Sequence, residues 1–288
     1  MLLWHTYHMA HYISIDAASR TKKHYENFPV ATLIFPKQER LAATVLYKFA
    51  RDCDYIADEG DLNQQQRYEK LEHYQANIRL LNNTDANRPD LFVDLKHIAE
   101  NYQLDISLFE RLLQGFRQDI ANTPYQNFAE VIHYCHLAAC PAGEMILTLF
   151  RENKEHKIHY ANQLCICLAL IGMLQDIKED FNKGRVYVPQ ADFKKFNLKP
   201  EDIENNDFNA EWDNFKANWI TRIENYLAAG KNLQDITQGR LRLQIKVLVL
   251  GCELLILRLK KRTNLFLAAP KLTKLDWLFI FFRAVFKS

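Results

Sequence analysis

One apolar run, YANQLCICLALIGMLQDIKED at positions 160–180, constrains the fold more than any other feature of the chain. Up to Met173 it is apolar on nearly every side of a helix, a pattern that predicts a central helix buried all round. Only 8 Gly and 8 Pro occur among 288 residues, so long helices are favoured over many short strands. The sequence therefore predicts an all-α protein with one buried helix at its centre.

Further runs with a helical spacing of apolar residues divide the rest of the chain. Helices are predicted near 18–27, 37–60, 63–82, 91–102, 106–119, 127–151, 211–229 and 233–262. The segment 201–210 is predicted to be a polar loop or a frayed turn. Since no linker is rich in Gly, Ser or Pro, these helices are expected to form one domain.

Cysteine spacing and charge restrict the class of protein. The six cysteines form no CxxC pair, so a reduced, cytoplasmic interior is expected and a structural zinc site is not. The net charge is +2, and no nucleic-acid partner is predicted. From Arg240 to the end, 11 Lys or Arg stand against 2 Asp or Glu, a local charge of +9 that leaves −7 for the other 239 residues. Such a basic tail favours an anionic surface, although a solvated helix face would have the same composition.

Two pairs of aspartates carry the strongest chemical signal. Asp54 and Asp58 stand four residues apart on the first long helix, and Asp176 and Asp180 stand four apart at the end of the buried one. Residues at i and i+4 share a helix face with Cβ atoms about 5–6 Å apart, so the members of each pair repel one another until a cation lies between them. One such pair on a solvated face is common, but carboxylates at the end of a buried helix need a partner. Two facing pairs fit Mg²⁺, which takes one or two carboxylates together with substrate phosphates.

Basic residues beside both pairs fit the same chemistry. Arg51 precedes Asp54 by three residues, and Lys183 and Arg185 follow Asp180. Arg binds phosphate oxygens through two parallel hydrogen bonds, and Lys acts as a point charge. These cations could also serve only to balance the aspartates. Together with Mg²⁺, the set is suited to neutralising a diphosphate so that it can leave.

Four ordered blocks resemble the squalene/phytoene synthase family. They are HYENFPVATLIFP at 24–36, VLYKFARDCDYIADEGD at 45–61, the block from FRQDI to ILTLF at 116–150, and LQDIKEDFNKGRVYVP at 174–189. The resemblance implies the isoprenoid-synthase fold, an all-α helical bundle around a central apolar cavity with both Asp motifs at its mouth. The implied organisation is an N-terminal extension and first helix at 1–23, the catalytic domain at 24–265, and a basic, aromatic segment at 266–288.

The resemblance also assigns roles by position. It implies that Asp54, Asp58, Asp176 and Asp180 hold Mg²⁺ and that Tyr47 and Arg51 act with them on the substrate. The candidate substrate-binding residues are His24, Asn27 and Phe28 in a segment that closes over the diphosphate, Tyr134, Ala139 and Gly143 on a kinked cavity helix, and Lys183, Arg185 and Tyr187 after the second motif.

Within the family, ENFPVA, AACPAG and LQD…KGRVYVP resemble the bacterial hydroxysqualene synthases. The implied reaction takes presqualene diphosphate with Mg²⁺ to hydroxysqualene, by loss of diphosphate and capture of water, without NADPH. The alternative is a sister enzyme that condenses two prenyl diphosphates to presqualene diphosphate, squalene or phytoene. An alternative of another class is a non-catalytic scaffold or assembly factor. Tyr55, Ala169 and Gly172 depart from residues common in the family.

The C-terminal segment LDWLFIFFRAVFK at 275–287 combines large apolar side chains with nearby cations. It is too short to cross about 30 Å of hydrocarbon as a helix. Two placements remain open. The segment could lie in the membrane interface, attracted by anionic lipid at the inner membrane face, or it could dock on the body and close the core.

Overall fold

The computed structural model describes residues 34–81 and 89–286, and within these ranges it is α-helical without a strand. The helices are α1 Lys37–Asp58, α2 Gln64–Arg79, α3 Asp90–Tyr102, α4 Ser107–Ala121, α5 Phe128–Ala138, α6 Cys140–Leu149, α7 Glu155–Gln175, α8 Ile177–Asn182, α9 Gln190–Phe196, α10 Pro200–Asn205, α11 Ala210–Gly230, α12 Leu233–Ile236, α13 Gly239–Lys261 and α14 Lys274–Phe286. The predicted helix at 18–27 and the predicted closing residues His24, Asn27 and Phe28 lie outside the described residues.

The apolar run at 160–180 forms most of α7, and the prediction of a buried central helix is confirmed. Thirteen of its residues are buried, from Lys157 to Gln175. Helix α11 packs along it, and the Trp219 indole N–H donates to the Leu170 carbonyl at 3.0 Å. Among the described helices, α7 alone is long and apolar enough to cross a membrane, but 61% of the relevant window is buried inside the protein. Its apolar surface is therefore used as core.

Several helix boundaries differ from the sequence expectation. The predicted helix 127–151 is divided at Ala139, whose φ of −119° departs from the regular helical value of about −63°. Pro141 follows, and it could not continue α5 because it lacks an N–H and its ring would clash with the carbonyl four residues earlier. The predicted loop 201–210 overlaps the short helix α10. This helix begins one residue earlier, at Pro200, and Pro is a favoured first helical residue. Likewise, 233–262 is two helices, separated at Thr237 and Gln238.

Buried apolar side chains form two clusters that meet along a seam between α4 and the pair α5 and α6. One cluster contains side chains from the four helices α1, α2, α3 and α4. The other contains side chains from α5, α7, α11, α13 and α14. Ile146 and Phe150 pack against both clusters. At Gly115 of α4, an added Cβ would lie 3.0 Å from the Ala138 Cα of α5, so any larger residue would push these two helices slightly apart. Each Asp pair therefore belongs to a different half of the core.

Helix α14 docks on the body of the protein, as one of the two placements considered for the C-terminal segment requires. Trp277, Ile280 and Ala284 are buried in the same cluster as α7. The start of the helix is tied to α13, because Arg258 donates to the Asp276 carboxylate at 2.6 Å. The opposite face of α14 is exposed.

Candidate functional site

The first Asp pair lies in the last two turns of α1. Asp54 is only 3% exposed, and burial together with the neighbouring Asp58 carboxylate raises the pKa of Asp54 to about 7. Arg51 forms an ion pair with Asp54 and also donates to Glu59 at 2.7 Å. Tyr47 lies one turn before Arg51 and interacts electrostatically with the guanidinium. The structure thus brings the four predicted residues of this helix together.

The second Asp pair lies where α7 ends and α8 begins. Asp176 is the residue between the two helices, with φ −104° and ψ 15°, and the Asp180 N–H donates to its carbonyl at 2.7 Å. The expectation that this pair is buried is wrong for Asp176. Its side chain is exposed at the break between the two helices, although Gln175 and Ile177 on either side are buried. Asp180 is partly buried, and burial and the neighbouring Asp176 raise its pKa to about 7.

Arg185 joins the two motifs. Both terminal nitrogens of its guanidinium pair with the Asp58 carboxylate, one of them at 2.6 Å. A turn at Gly184, with φ of +78°, directs the chain back, so that the Arg185 N–H donates to the Asp180 carbonyl at 2.8 Å. Lys183 is exposed and donates to Glu179 at 2.9 Å. Arg185 therefore links the Asp58 carboxylate of the first pair to the Asp180 backbone of the second.

Asp119, at the end of α4, is a further site residue that the sequence analysis did not single out. It accepts hydrogen bonds from the Tyr134 hydroxyl at 2.8 Å and the Tyr187 hydroxyl at 3.4 Å. Burial and Asp58 raise the pKa of Asp119 to about 6, although Arg185 opposes this. Burial and Asp119 in turn raise the pKa of both tyrosines, so the phenols stay protonated donors. The signal was the FRQDI block itself, which places an Asp at the last turn of an amphipathic helix.

A polar pocket opens beside these charges. Asp58, Asp119, Lys183 and Arg185 are among its lining residues. Oxygen acceptors and cations thus line one pocket, and of the four motif aspartates Asp58 is the one in its lining. Such a pocket is suited to an anion that arrives with a divalent cation.

An apolar cavity lies between α6, α7 and α13. Gly143 lines it, as predicted, whereas the half-buried Ala139 lies at the kink and is not one of the lining residues that the structure describes. Along α7 the lining ends at Leu168, eight residues before Asp176, which corresponds to about 12 Å of helix. Gln244 supplies a buried amide to this lining, and neither of its polar atoms has a hydrogen-bond partner among the described residues.

Gly143 also sets the spacing of α6 and α7. A Cβ at this position would lie 2.5 Å from the Cys165 sulfur. We expect Gly143→Ala to lower the free energy of unfolding by about 1–3 kcal/mol through overpacking. Cys165→Ala removes the clashing sulfur, so Gly143→Ala in that background should cost much less. Thermal and denaturant unfolding of the four proteins measures this coupling; equal costs in both backgrounds would show that the sulfur is not the obstacle.

The donor set at the motifs fits a divalent, oxygen-preferring cation. All four ligand candidates are carboxylates, and two of them have a pKa near neutrality because burial and a like charge disfavour their ions. A cation would relieve that repulsion. Within residues 34–81 and 89–286, no three Asp, Glu, His or Cys side chains converge as a metal cage of protein ligands alone. This arrangement suits Mg²⁺, which commonly completes its octahedron with water and substrate phosphate.

Comparison with known proteins gives the family. The family profile described as Squalene/phytoene synthase matches residues 21–277. Hydroxysqualene synthase from Sinorhizobium fredii is 28% identical, with 87% of this chain and 83% of the relative covered. Phytoene synthase from Mycobacterium bovis is 29% identical over 63% of this chain, which spans 59% of that relative's length. The crystal structure of a squalene synthase from Alicyclobacillus acidocaldarius has a TM-score of 0.77 at 27% identity, covering 85% of this chain and 92% of the other. The chain is thus a member of the squalene/phytoene synthase family and has its all-α fold.

Proposed function

We propose that this protein is a hydroxysqualene synthase, which converts presqualene diphosphate and water to hydroxysqualene and diphosphate. The observation that carries the proposal is the extent of similarity. The Sinorhizobium hydroxysqualene synthase aligns over 83% of its length, whereas the Mycobacterium phytoene synthase aligns over 59%. The motif variants ENFPVA and AACPAG point the same way.

The charged residues at the mouth would bind the diphosphate end of the substrate. Asp54, Asp58, Asp176 and Asp180 are the residues that would hold Mg²⁺. When bound, the ion neutralises charge on the diphosphate and so makes it a better leaving group. The Arg185 guanidinium would donate two parallel hydrogen bonds to the phosphate oxygens. The C–O bond to diphosphate breaks, and both bonding electrons leave with the diphosphate.

The remaining residues would handle the hydrocarbon and the cation formed from it. The apolar cavity along α6, α7 and α13 offers aliphatic side chains to the prenyl chains and keeps bulk water from them. Near the motifs, Tyr125, Tyr134 and Tyr187 pack with ring centroids 5.6–6.1 Å apart. Aromatic faces attract positive charge, so this cluster is suited to the carbocation that water then captures.

Two other functions remain as candidates. The 29% identity with a phytoene synthase favours condensation of two prenyl diphosphates as the alternative reaction. A non-catalytic scaffold is the alternative of another class. Against the scaffold, all four aspartates of the two motifs are present, and Asp54 and Asp58 pair with Arg51 and Arg185.

The test is a product assay on the purified protein with Mg²⁺. Presqualene diphosphate and farnesyl diphosphate are supplied separately, with and without NADPH, and the lipids are identified by mass spectrometry. We expect hydroxysqualene from presqualene diphosphate alone, one diphosphate released per product, and no effect of NADPH. A C30 product from farnesyl diphosphate would favour the condensing enzyme. No turnover of any substrate, with the fold intact, would favour the scaffold.

A further inference from the structure

Helix α14 is apolar on two opposite sides, and only one side is used by the fold. Trp277, Ile280 and Ala284 face the core. The other side carries six exposed large apolar side chains, which are Leu275, Leu278, Phe279, Phe282, Val285 and Phe286. At 100° per residue these six fall within an arc of about 120°, opposite the buried face. They form a continuous stripe, which we call the outer stripe.

The outer stripe is too concentrated to be ordinary surface variation. Six of the eleven exposed large apolar side chains in the described residues belong to it. Leu275, Phe279 and Phe286 are 77%, 63% and 78% exposed. Single exposed apolar residues are normal, but a contiguous patch marks an interaction surface.

The orientation of the outer stripe is held by contacts at the start of the helix. The Thr273 backbone N–H and hydroxyl donate to Asp276 at 2.6 and 2.7 Å, and the Asp276 N–H donates back to the Thr273 hydroxyl at 3.2 Å. Arg258 of α13 pairs with the same carboxylate. Because Trp277 and Ile280 are also buried, the helix cannot rotate to hide the stripe without losing these contacts.

Charge identifies the partner. Lys274 and Arg283 are both exposed and lie on opposite flanks of the outer stripe, within a C-terminal region of local charge +9. An apolar stripe flanked by cations matches the interface of an anionic lipid bilayer, where apolar side chains enter the acyl region and cations meet headgroups. A second copy of the chain fits less well, since pairing would bring two basic regions together. At 13 residues, or about 20 Å, the helix cannot span the bilayer and would lie in its plane.

We propose that the outer stripe of α14 docks the protein on the surface of an anionic membrane, with the helix parallel to the bilayer plane. This docking is distinct from the proposed reaction. It requires neither Mg²⁺ nor substrate.

The experiment measures flotation of the full chain with vesicles of phosphatidylcholine alone or mixed with phosphatidylglycerol. The protein is expected to float with the mixed vesicles and to dissociate as salt rises. Leu278→Ser/Phe282→Ser should lower binding at least tenfold with an unchanged thermal unfolding curve, because both residues are exposed. The matched control Leu41→Ser/Val93→Ser, which removes exposed apolar side chains elsewhere, should bind as the unmodified protein does. Lys274→Gln/Arg283→Gln should weaken binding to the anionic vesicles and reduce its salt dependence.

Two results would overturn the proposal. One is vesicle binding by the Leu278→Ser/Phe282→Ser protein that equals that of the unmodified chain. The other is a dimer of the unmodified chain in sedimentation analysis that the same variant converts to a monomer, which would assign the outer stripe to self-association.

Discussion

Replacing Asp54 or Asp176 by Asn is expected to reduce turnover about a hundredfold or more, while the helical far-ultraviolet spectrum stays unchanged. Each change removes the charge of a proposed Mg²⁺ ligand but almost none of its volume. The matched control is Asp94→Asn, because Asp90 and Asp94 on α3 form another i, i+4 pair that is exposed to solvent. Turnover should not change in this control. Normal turnover by either site variant would contradict the assignment of the metal site.

The same Asp54→Asn protein should be more stable than the unmodified chain when Mg²⁺ is absent and the pH is above 7. Burial raises the pKa of Asp54 to about 7 in the folded protein, against about 3.9 when unfolded. The folded state therefore holds a proton that the unfolded state has lost, and stability falls as the pH rises from about 4 to about 7. Asn carries no such penalty, and Arg51 still has Glu59 as a partner. We expect a gain of about 2–4 kcal/mol at pH 8, vanishing near pH 4. Thermal unfolding across this range checks the sign; a gain independent of pH would rule out titration as the cause.

The second large effect is expected from Arg185→Met. The change leaves the Asp58 and Asp119 carboxylates without their shared cation, so we expect a loss of about 2–3 kcal/mol in the free energy of unfolding, less than for a fully buried pair because this one is partly exposed. Turnover should also be lost, together with affinity for inorganic diphosphate measured by calorimetry with Mg²⁺.

A matched control separates lost stability from lost binding. Arg222 forms a similar two-bond pair with Asp192, at 2.6 and 2.9 Å, away from the Asp motifs. Arg222→Met should cost a comparable amount of stability while diphosphate affinity is retained. If both variants lose diphosphate affinity equally, the role of Arg185 is structural only.

Much of the fold and of the charged site follows from the sequence, because local patterns determine both. The all-round apolar run could only be a buried helix, and α7 is one. An i, i+4 spacing fixes which side chains share a helix face, so the sequence alone predicts that Asp54 and Asp58 lie side by side. The kink at Ala139 was implied by resemblance, and Pro141 supplies its physical reason.

Other features depend on contacts between distant segments, which no local pattern shows. Asp119 joins Tyr134 and Tyr187 only after α4, α5 and the segment following α8 have packed together. The exposure of Asp176 follows from where α7 stops, a boundary that periodicity leaves uncertain by a few residues. The sequence could not decide whether α14 packs on the body of the protein or presents its apolar side chains to solvent. The helix does both, because it has two opposite apolar faces.

The seam between the two apolar clusters has a consequence for how ligands act on the whole molecule. One Asp motif belongs to each half, so a ligand that binds to both motifs would hold the two halves together. Opening the halves apart would then require releasing it. A ligand at a hundred times its dissociation constant adds about 2.7 kcal/mol to the stability of the state that binds it. In the proposed reaction the diphosphate end would bind at both motifs, so breaking its bond to the hydrocarbon would leave this link in place. The two halves would be least firmly held only after the diphosphate itself is released.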